Sequence, residues 1–249
     1  MEPLTDYDRT RYGRQIPLPD WGDEGQGRLK NASVLIAGAG GLGSPVALYL
    51  AAAGVGEIRL CDADTVELSN LNRQILHTEA RIGQGKAASA AQAITALNSH
   101  IDVVAYGDYL DGSNVERIVG QADVVIDCLD NFETRYLLNA YCLGQEIPFI
   151  HGAVWGLMGQ VTFIHPPDTP CLRCIFPQPA AKEVCPVVGV APGVIGCIQA
   201  AEALKFIAGV GVNLKNKLLL FDGEDMSFTP VEIKRAPACP DCGSKCDAP

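Results

Sequence analysis

The stretch SVLIAGAGGLGSPVALYLAAAGVGEIRLCD, Ser33 to Asp62, decides the fold. Val34 to Ala37 form a short apolar run, the turn Gly38-x-Gly40-Gly41-x-Gly43 follows at once, and Leu42 to Ala53 have the length and Leu/Ala content of a buried helix. A second apolar run ends at Asp62. Strand, glycine turn, helix, strand and acidic residue is the order of a nucleotide-binding βαβ unit. The glycines permit a tight turn and close backbone approach, the helix start offers free N–H groups to a phosphate, and the carboxylate can accept from a ribose hydroxyl. Taken alone, the motif fits a dinucleotide or ATP, and a glycine turn serving only packing is the plainer alternative.

Downstream the alternation continues. The spacing predicts helices over Ala87 to Leu97, Ser113 to Val119 and Glu133 to Gln145, strands over Asp102 to Ala105 and Val124 to Asp127, and a further strand that begins with Pro148 to His151. This predicts an α/β fold with a doubly wound, Rossmann-like, mostly parallel sheet and helices on both faces. Beyond residue 150 the pattern changes. Gly159 to His165, Leu218 to Phe221 and Val231 to Lys234 read as strands without crossover helices, and Ile195 to Ala208 as one helix. They predict a C-terminal antiparallel extension of the same sheet. The expected organisation is a single domain over 1–249: a helical arm (1–30) packed on the body, a nucleotide-binding part (31–150) and the extension (151–249).

A formal charge of −10, with no block of five or six like charges, argues against nucleic acid or an anionic membrane as the main partner. The N-terminal MEPLTDYDRTRYGRQ is charged and lacks an apolar core, so no secretory signal is expected and a cytoplasmic location is. Two uncharged stretches, Asn31 to Gly56 and Val184 to Ala201, are broken by the glycine turn and by Pro186, Pro192 and Gln199. A membrane span needs ~20 predominantly apolar residues in one helix, so both read as buried core or subunit interface.

After Asp62 the segment ADTVELSNLNRQILHTEARIGQGK (63–86) is poor in apolar periodicity and rich in Asn, Arg, Gln and Gly, the mark of an ordered functional loop. In a doubly wound sheet the C-terminal strand ends share one crevice, so Asp62 and Asp130 are expected to converge there with the loop and Lys86. Arg73 and Lys86 would neutralise phosphates, and Asp130 would hold Mg²⁺, a hard ion that takes one or two carboxylates plus phosphate oxygens. A hydride-transfer enzyme has no need of that set. Plainer readings exist for each residue singly: Asp130 or the neighbouring Asn131 as a helix N-cap, Arg73 or Lys86 as solvated surface.

Ten cysteines are present. Cys61, Cys128, Cys142 and Cys197 lie in apolar surroundings and read as small buried hydrophobes. Cys171-x-x-Cys174 and Cys239-x-x-Cys242 supply the four thiolates of a tetrahedral structural Zn²⁺ site, preferred over a redox pair or disulfide in a cytosolic chain, with Cys246 as a spare ligand. Cys185, before Pro186 in a Pro/Gly-rich loop, is a candidate nucleophile with no activating base nearby in sequence; the alternative is a structural cysteine.

RYGRQI (11–16), GAGGLGS (38–44), DADTVELSNLNRQ (62–74), GQGKA (83–87), DCLDN (127–131), the two CxxC pairs and PGVIGCIQAAEALK (192–205) together resemble the ThiF/MoeB/HesA family, bacterial relatives of the ubiquitin-activating enzymes. The resemblance covers almost the whole chain. It implies an adenylyltransferase: the C-terminal Gly-Gly carboxylate of a ubiquitin-like sulfur-carrier protein attacks the α-phosphate of Mg-ATP and pyrophosphate leaves, in molybdopterin, thiamine or related sulfur metabolism. Gly38, Gly40, Gly41, Gly43, Asp62, Asp64, Asn70, Arg73, Gln74, Lys86, Asp130 and Asn131 would line the nucleotide site, with Asp62 on the ribose, Asn70, Arg73 and Lys86 on the phosphates and Asp130 on Mg²⁺. Arg14 would reach the site of the neighbouring subunit in a homodimer. The spacing from Cys185 to PGVIG is shorter than in many relatives, and the chain ends soon after Cys246 without the rhodanese-like domain some relatives append, so a separate sulfur donor protein is expected. Alternatives that keep part of this reading are ATP-dependent activation of another carboxylate, on a modified tRNA or a peptide, an NAD-dependent oxidoreductase, and a non-catalytic scaffold that binds carriers.

Overall fold

A computed structural model of the protein describes residues 2–179 and 186–243. Two short helices, α1 (Asp6–Arg11) and α2 (Gly22–Lys30), precede a run of β1 (Ser33–Ala37), α3 (Gly43–Ala53), β2 (Glu57–Cys61), α4 (Lys86–Leu97), β3 (Asp102–Tyr106), α5 (Val115–Val119), β4 (Val124–Asp127) and α6 (Phe132–Gln145). Then come β5 (Phe149–Trp155), β6 (Met158–Ile164), α7 (Leu172–Ile175), α8 (Val190–Ala208), β7 (Lys217–Asp222) and β8 (Ser227–Glu232). All eight strands form one sheet in the order β3-β2-β1-β4-β5-β6-β7-β8. The pairs from β3 to β5 are parallel and those from β5 to β8 antiparallel. Doubly wound sheet and antiparallel extension both match expectation.

The central strands are apolar on both faces, as a parallel sheet covered on both sides requires. Val34 and Ile36 of β1 point into a core built with α2, α3, α4 and α8, where Leu29, Leu50, Ile94 and Ile195 are buried. Leu35 and Ala37 point the other way, into a core with Ile118 of α5, Leu138 of α6 and Leu172 of α7. After β1 the chain winds outward to β2 and β3, then crosses back to β4 on the other side of β1. The ends of β1 and β4 therefore part where winding reverses, which is where such sheets bind ligands. Ala37 pairs with Asp127 at that point, and the chain beyond them leads to helices on opposite faces of the sheet, α3 and α6.

The N-terminal arm is anchored at the far end of α3. Tyr12 is buried, its hydroxyl accepts from Asn98 Nδ2 at 3.0 Å, and its ring fills the space beside Gly54, the left-handed C-cap of α3. Gln15 and Gln26 donate to Ala53 O at 3.1 and 2.9 Å, satisfying a helix-end carbonyl.

Three expectations need correction. α8 starts five residues before Ile195, because Pro192 falls in its first turn, where an N–H has no helical partner to lose. β8 lies earlier than Val231–Lys234: it pairs with β7 from Ser227, and Pro230 is tolerated because β8 is an edge strand. Cys197 is exposed, not buried. Ile195, Gln199, Glu202 and Ala203 occupy the inward stripe of α8, and Cys197 lies roughly half a turn away from it. Among the described residues α8 is long and apolar enough by composition to cross a membrane, yet it lies along α3, β5 and β6 with half its length buried.

Candidate nucleotide site and cysteine cluster

The glycine turn closes against the segment after β4. Gly38 has φ +100° and donates to Cys61 O at 2.8 Å, and a side chain on it would come within 2.5 Å of Cys128 O. A Cβ on Gly43 would collide with Gly38 O, so the first turn of α3 abuts the loop. Those two positions demand glycine. Leu42, the N-cap of α3, makes no side-chain bond to the first turn; Ser44 N is spent on Gly40 O at 2.9 Å and Pro45 has no N–H, so the amides of Gly41 to Gly43 are what the turn offers an anion. The Asp62 carboxylate fixes the turn from the side: Oδ2 accepts from Ala39 N at 2.8 Å and Oδ1 from Asp64 N at 2.9 Å.

The loop 63–85 folds back over the turn through two 3₁₀ turns, Leu68–Asn70 and Glu79–Arg81. Asn70 is buried and spends its side-chain oxygen on Glu67 N at 3.1 Å, bracing the first of them. Gln74 lies over Gly40 and Arg73 beside Gly41, with Gly189 and Pro192 at the start of α8 closing the same wall. The half-exposed Arg73 guanidinium donates to Ser69 O at 3.0 Å and Asn72 Oδ1 at 2.9 Å. Gln74 is 5% exposed and its Oε1 has no partner among the described residues, an orphan acceptor beside Gly40. Lys86, 6% exposed, pairs with the exposed carboxylate of Asp64 at 2.9 Å. Asp64 thus acts in this structure as the counter-ion of Lys86.

Asp130 is exposed in the loop after β4. The cap of α6 is Asn131, whose Oδ1 accepts from Thr134 N at 2.9 Å, so Asp130 is left without a hydrogen bond to any described residue. A carboxylate with no hydrogen bond among the described residues, two residues past the Cys128 carbonyl on which the glycine turn closes, is open to a cation carried by phosphates.

Arg14 is elsewhere. It is exposed, two residues past Tyr12 and next to Gln15, at the C-terminal end of α3. An 11-residue helix puts that end roughly 16 Å from the glycine turn. Cys185 and Cys246 lie outside the described residues.

Sequence reasoning missed His77. It is buried; Nε2 donates to Ala39 O at 2.9 Å, the other side of the peptide unit region that Asp62 holds, and Nδ1 accepts from Ser89 of α4 at 2.8 Å. A carbonyl can only accept, so Nε2 carries a proton, and the neutral ring with Nδ1 as acceptor is the form that burial favours. Burial holds its pKa below the ordinary imidazole value, helped by Lys86 and Arg81, against the bond to Ala39 O. One side chain thereby joins the glycine turn to the helix that carries Lys86. A lone His in a polar loop carries no signal of this in sequence.

Cys171 is the N-cap of α7 and Cys174 lies within it, and Cys239 and Cys242 come to them from the turn after β8. Their sulfurs all lie within 4.8 Å of one another, with 3.9 Å for Cys171–Cys174, 3.5 Å for Cys171–Cys239 and 3.4 Å for Cys174–Cys242. A tetrahedron with Zn–S of about 2.3 Å has S–S edges of about 3.8 Å, so the donor set fits zinc in number, chemistry and spacing. Burial pushes the Cys242 thiol up to about 12 when no cation is present. Asn139 of α6 joins both segments, accepting from Leu172 N at 2.9 Å and donating to Asp241 Oδ2 at 2.9 Å, and Arg173 donates to the same carboxylate.

A glycine turn at the switch point of a doubly wound sheet, a cationic loop over it and a closed four-cysteine cluster define a nucleotide-binding α/β protein with a stapled extension. The ThiF family model matches residues 12–241, and the chain belongs to the ThiF family. It is 46% identical over 239 residues to the SAMP-activating enzyme E1 of Haloferax volcanii, covering 94% of this chain and 88% of that one. It is 46% identical over 240 residues to adenylyltransferase and sulfurtransferase MOCS3-1 of Zea mays, covering 94% of this chain and 51% of the relative. The chain therefore spans about half the length of the MOCS3 relatives it matches. Among solved structures, E. coli MccB with ATP superposes at a TM-score of 0.85 with 26% identity, over 97% of this chain and 76% of that one.

Proposed function

We propose that the protein is an ATP-dependent adenylyltransferase that activates the C-terminal glycine carboxylate of a ubiquitin-like sulfur-carrier protein. The observation that carries this reading is the charged set around the glycine turn: Arg73 beside Gly41, Lys86 on Asp64, and the exposed Asp130, without a hydrogen bond to any described residue, in the segment after β4 that the turn closes against. Its membership of a family that includes an adenylyltransferase and an E1-type activating enzyme supports the same reaction.

The carrier carboxylate oxygen attacks the α-phosphorus, a new P–O bond forms, and the bond to the β-phosphate oxygen breaks, so pyrophosphate leaves with its electron pair. No redox change occurs. The turn amides and the start of α3 receive phosphate oxygens; Asp62 takes the ribose hydroxyl with the lone pairs left over from Ala39 and Asp64. Lys86 exchanges part of its attraction to Asp64 for the phosphates, and Arg73 turns from neighbouring carbonyls to the same charge. Mg²⁺ held by Asp130 would neutralise the pyrophosphate as it leaves. Orientation of two reactants supplies most of the acceleration in such a transfer.

A homodimer gives the distant Arg14 a role, across the interface in the partner's site. A zinc-loaded cluster and cytoplasmic residence belong to this reading, since four reduced thiols favour a reducing compartment. So does a separate sulfur donor.

The test is carrier-dependent ATP–pyrophosphate exchange, run with several Gly-Gly-ended carriers and, as alternative acceptors, a modified tRNA and carboxylate-ended peptides. Exchange with a carrier alone supports the proposal. Exchange only with tRNA or peptide, or none with any acceptor, overturns it.

A further inference from the structure

Behind the crevice lies a buried charged network that no step above uses. The Asp127 carboxylate at the end of β4 is fully buried; it accepts from His151 Nδ1 of β5 at 2.6 Å, pairs with Arg135 Nε of α6 at 3.2 Å, and takes Leu129 N at 3.0 Å. Arg135 Nη2 then donates to Leu129 O and, at 3.2 Å, to Gly152 O. Both backbone polar groups of Leu129, the residue before Asp130, are thus held by one buried ion pair. From the opposite face Gln199 of α8 donates to Asp127 O at 2.8 Å and Ile150 O at 3.2 Å, in space left by Gly152. Gln199 thus bridges β4 and β5 where their pairing stops, at Asp127 and His151. On the other side of Asp130, Asn131 is fixed as the cap of α6. Asp130 is one exposed carboxylate between two pinned neighbours.

Packed apolar residues commonly match a buried ion pair in stability, so stability alone is a poor reason for this one. Its bonds go to the loops that leave the strands. We infer that Arg135, with Asp127 as its fixed partner, is a positioning residue that sets the orientation of the 128–131 segment and so presents the Asp130 carboxylate to the phosphate-bound cation. This rests on the adenylation reading, with Asp130 as the cation ligand.

Arg135→Lys keeps the charge beside Asp127 but gathers its three donors on one atom, whereas Arg135 reaches Asp127 from Nε and Leu129 O and Gly152 O from Nη2, so the planar fork that joins them is lost. The full-length protein is assayed for the Mg²⁺ concentration giving half-maximal exchange, for KM of ATP at saturating Mg²⁺, and for backbone hydrogen exchange without nucleotide. The expected result is an increase of about tenfold or more in the Mg²⁺ requirement, the scale of a disturbed supporting shell. KM for ATP stays within about twofold, and faster hydrogen exchange is confined to the segment around Leu129 and Asp130. In an Asp130→Asn background, Arg135→Lys leaves the residual rate nearly unchanged, because the two act on one function. An unchanged Mg²⁺ requirement, or independent losses in the double variant, overturns the proposal. If Asp130→Asn itself has no effect, the metal role of Asp130 fails, which is a separate outcome. Should Arg135→Lys not fold, the pair Asp127→Asn with Arg135→Met removes both charges at once and releases Leu129 O, and the same readouts decide.

Discussion

The crevice and the cysteine cluster are built on opposite principles. In the crevice the polar groups are left incomplete: the exposed Asp130 has no described hydrogen-bond partner, the buried Gln74 Oε1 has none among the described residues, and Arg73 holds only neighbouring loop groups. Their order comes from side chains behind them, Asp62 and His77 on the turn, Arg135 and Gln199 on the strand ends. In the cluster the four sulfurs face one another, three of them buried, and Asn139 joins the two segments that carry them. Open positions exchange ligands, whereas a closed four-ligand site holds chain together. Damage to the first should appear in turnover at nearly constant stability, and damage to the second in stability.

The largest expected effect is at the front of the crevice. Arg73→Ala and Asp130→Ala should each lower carrier-dependent exchange by about 10²–10³-fold, the scale of losing one preorganised charge contact. Thermal unfolding should move little, because both side chains are at least partly exposed and neither supports the core. A large fall in melting temperature with either variant would break the comparison.

Metal removal is the converse test. Chelation, or Cys239→Ser, should lower the melting temperature by roughly 6–12 °C, taking about 3 kcal/mol for the lost staple and the usual slope for a chain of this size. Exchange measured well below that midpoint should stay within a few-fold, since no cysteine of the cluster belongs to the crevice. Atomic absorption on the purified protein reads the stoichiometry, with about one zinc per chain expected from the four ligands.

The arm adds a third behaviour. Arg14→Ala and Arg73→Ala chains, each inactive alone, should regain roughly a quarter of wild-type exchange when mixed and allowed to re-pair, because a mixed two-fold dimer has one intact site. No recovery on re-pairing would tie Arg14 to its own chain, against its position at the far end of α3.

What could be read from sequence follows the same division. The glycine turn, the β/α alternation and the paired CxxC spacings are local patterns, and they located both clusters and the winding of the sheet. The supports are not local. Arg135 meets Gly152 O across 17 residues, Gln199 meets Asp127 O across 72, and Asn139 meets Asp241 across 102, and a buried Arg, Gln or Asn looks like a surface residue until the fold is known. The choice of Asn131 over Asp130 as the cap of α6 was equally invisible, because both side chains can cap and only the chain direction after β4 decides. Cys197 and the early start of α8 were missed for a related reason, since an apolar helix gives no sequence contrast to mark its faces or its first turn.

The smallest expected effect concerns pH, and it separates the two regions by the histidines behind one of them. His77 and His151 are both buried and neutral, each with its pKa pushed below the ordinary value first by desolvation; for His151 the bond to Asp127 opposes this, and for His77 the bond to Ala39 O does. As pH falls through about 6.5 the unfolded chain takes up protons that the folded chain refuses. The stability from these groups is therefore present above that pH and is lost as pH falls toward the folded values, by at most about 1.4 kcal/mol per pH unit for each histidine. His77→Gln keeps a donor for Ala39 O and an acceptor for Ser89 but cannot titrate. Urea unfolding between pH 8 and 5 should show wild type and variant within about 1.5 kcal/mol of each other at the alkaline end, with the variant losing stability less steeply on the acid side. Parallel slopes would mean that His77 takes up its proton as readily in the fold as in the unfolded chain, against the burial, Lys86 and Arg81 that disfavour a charged ring.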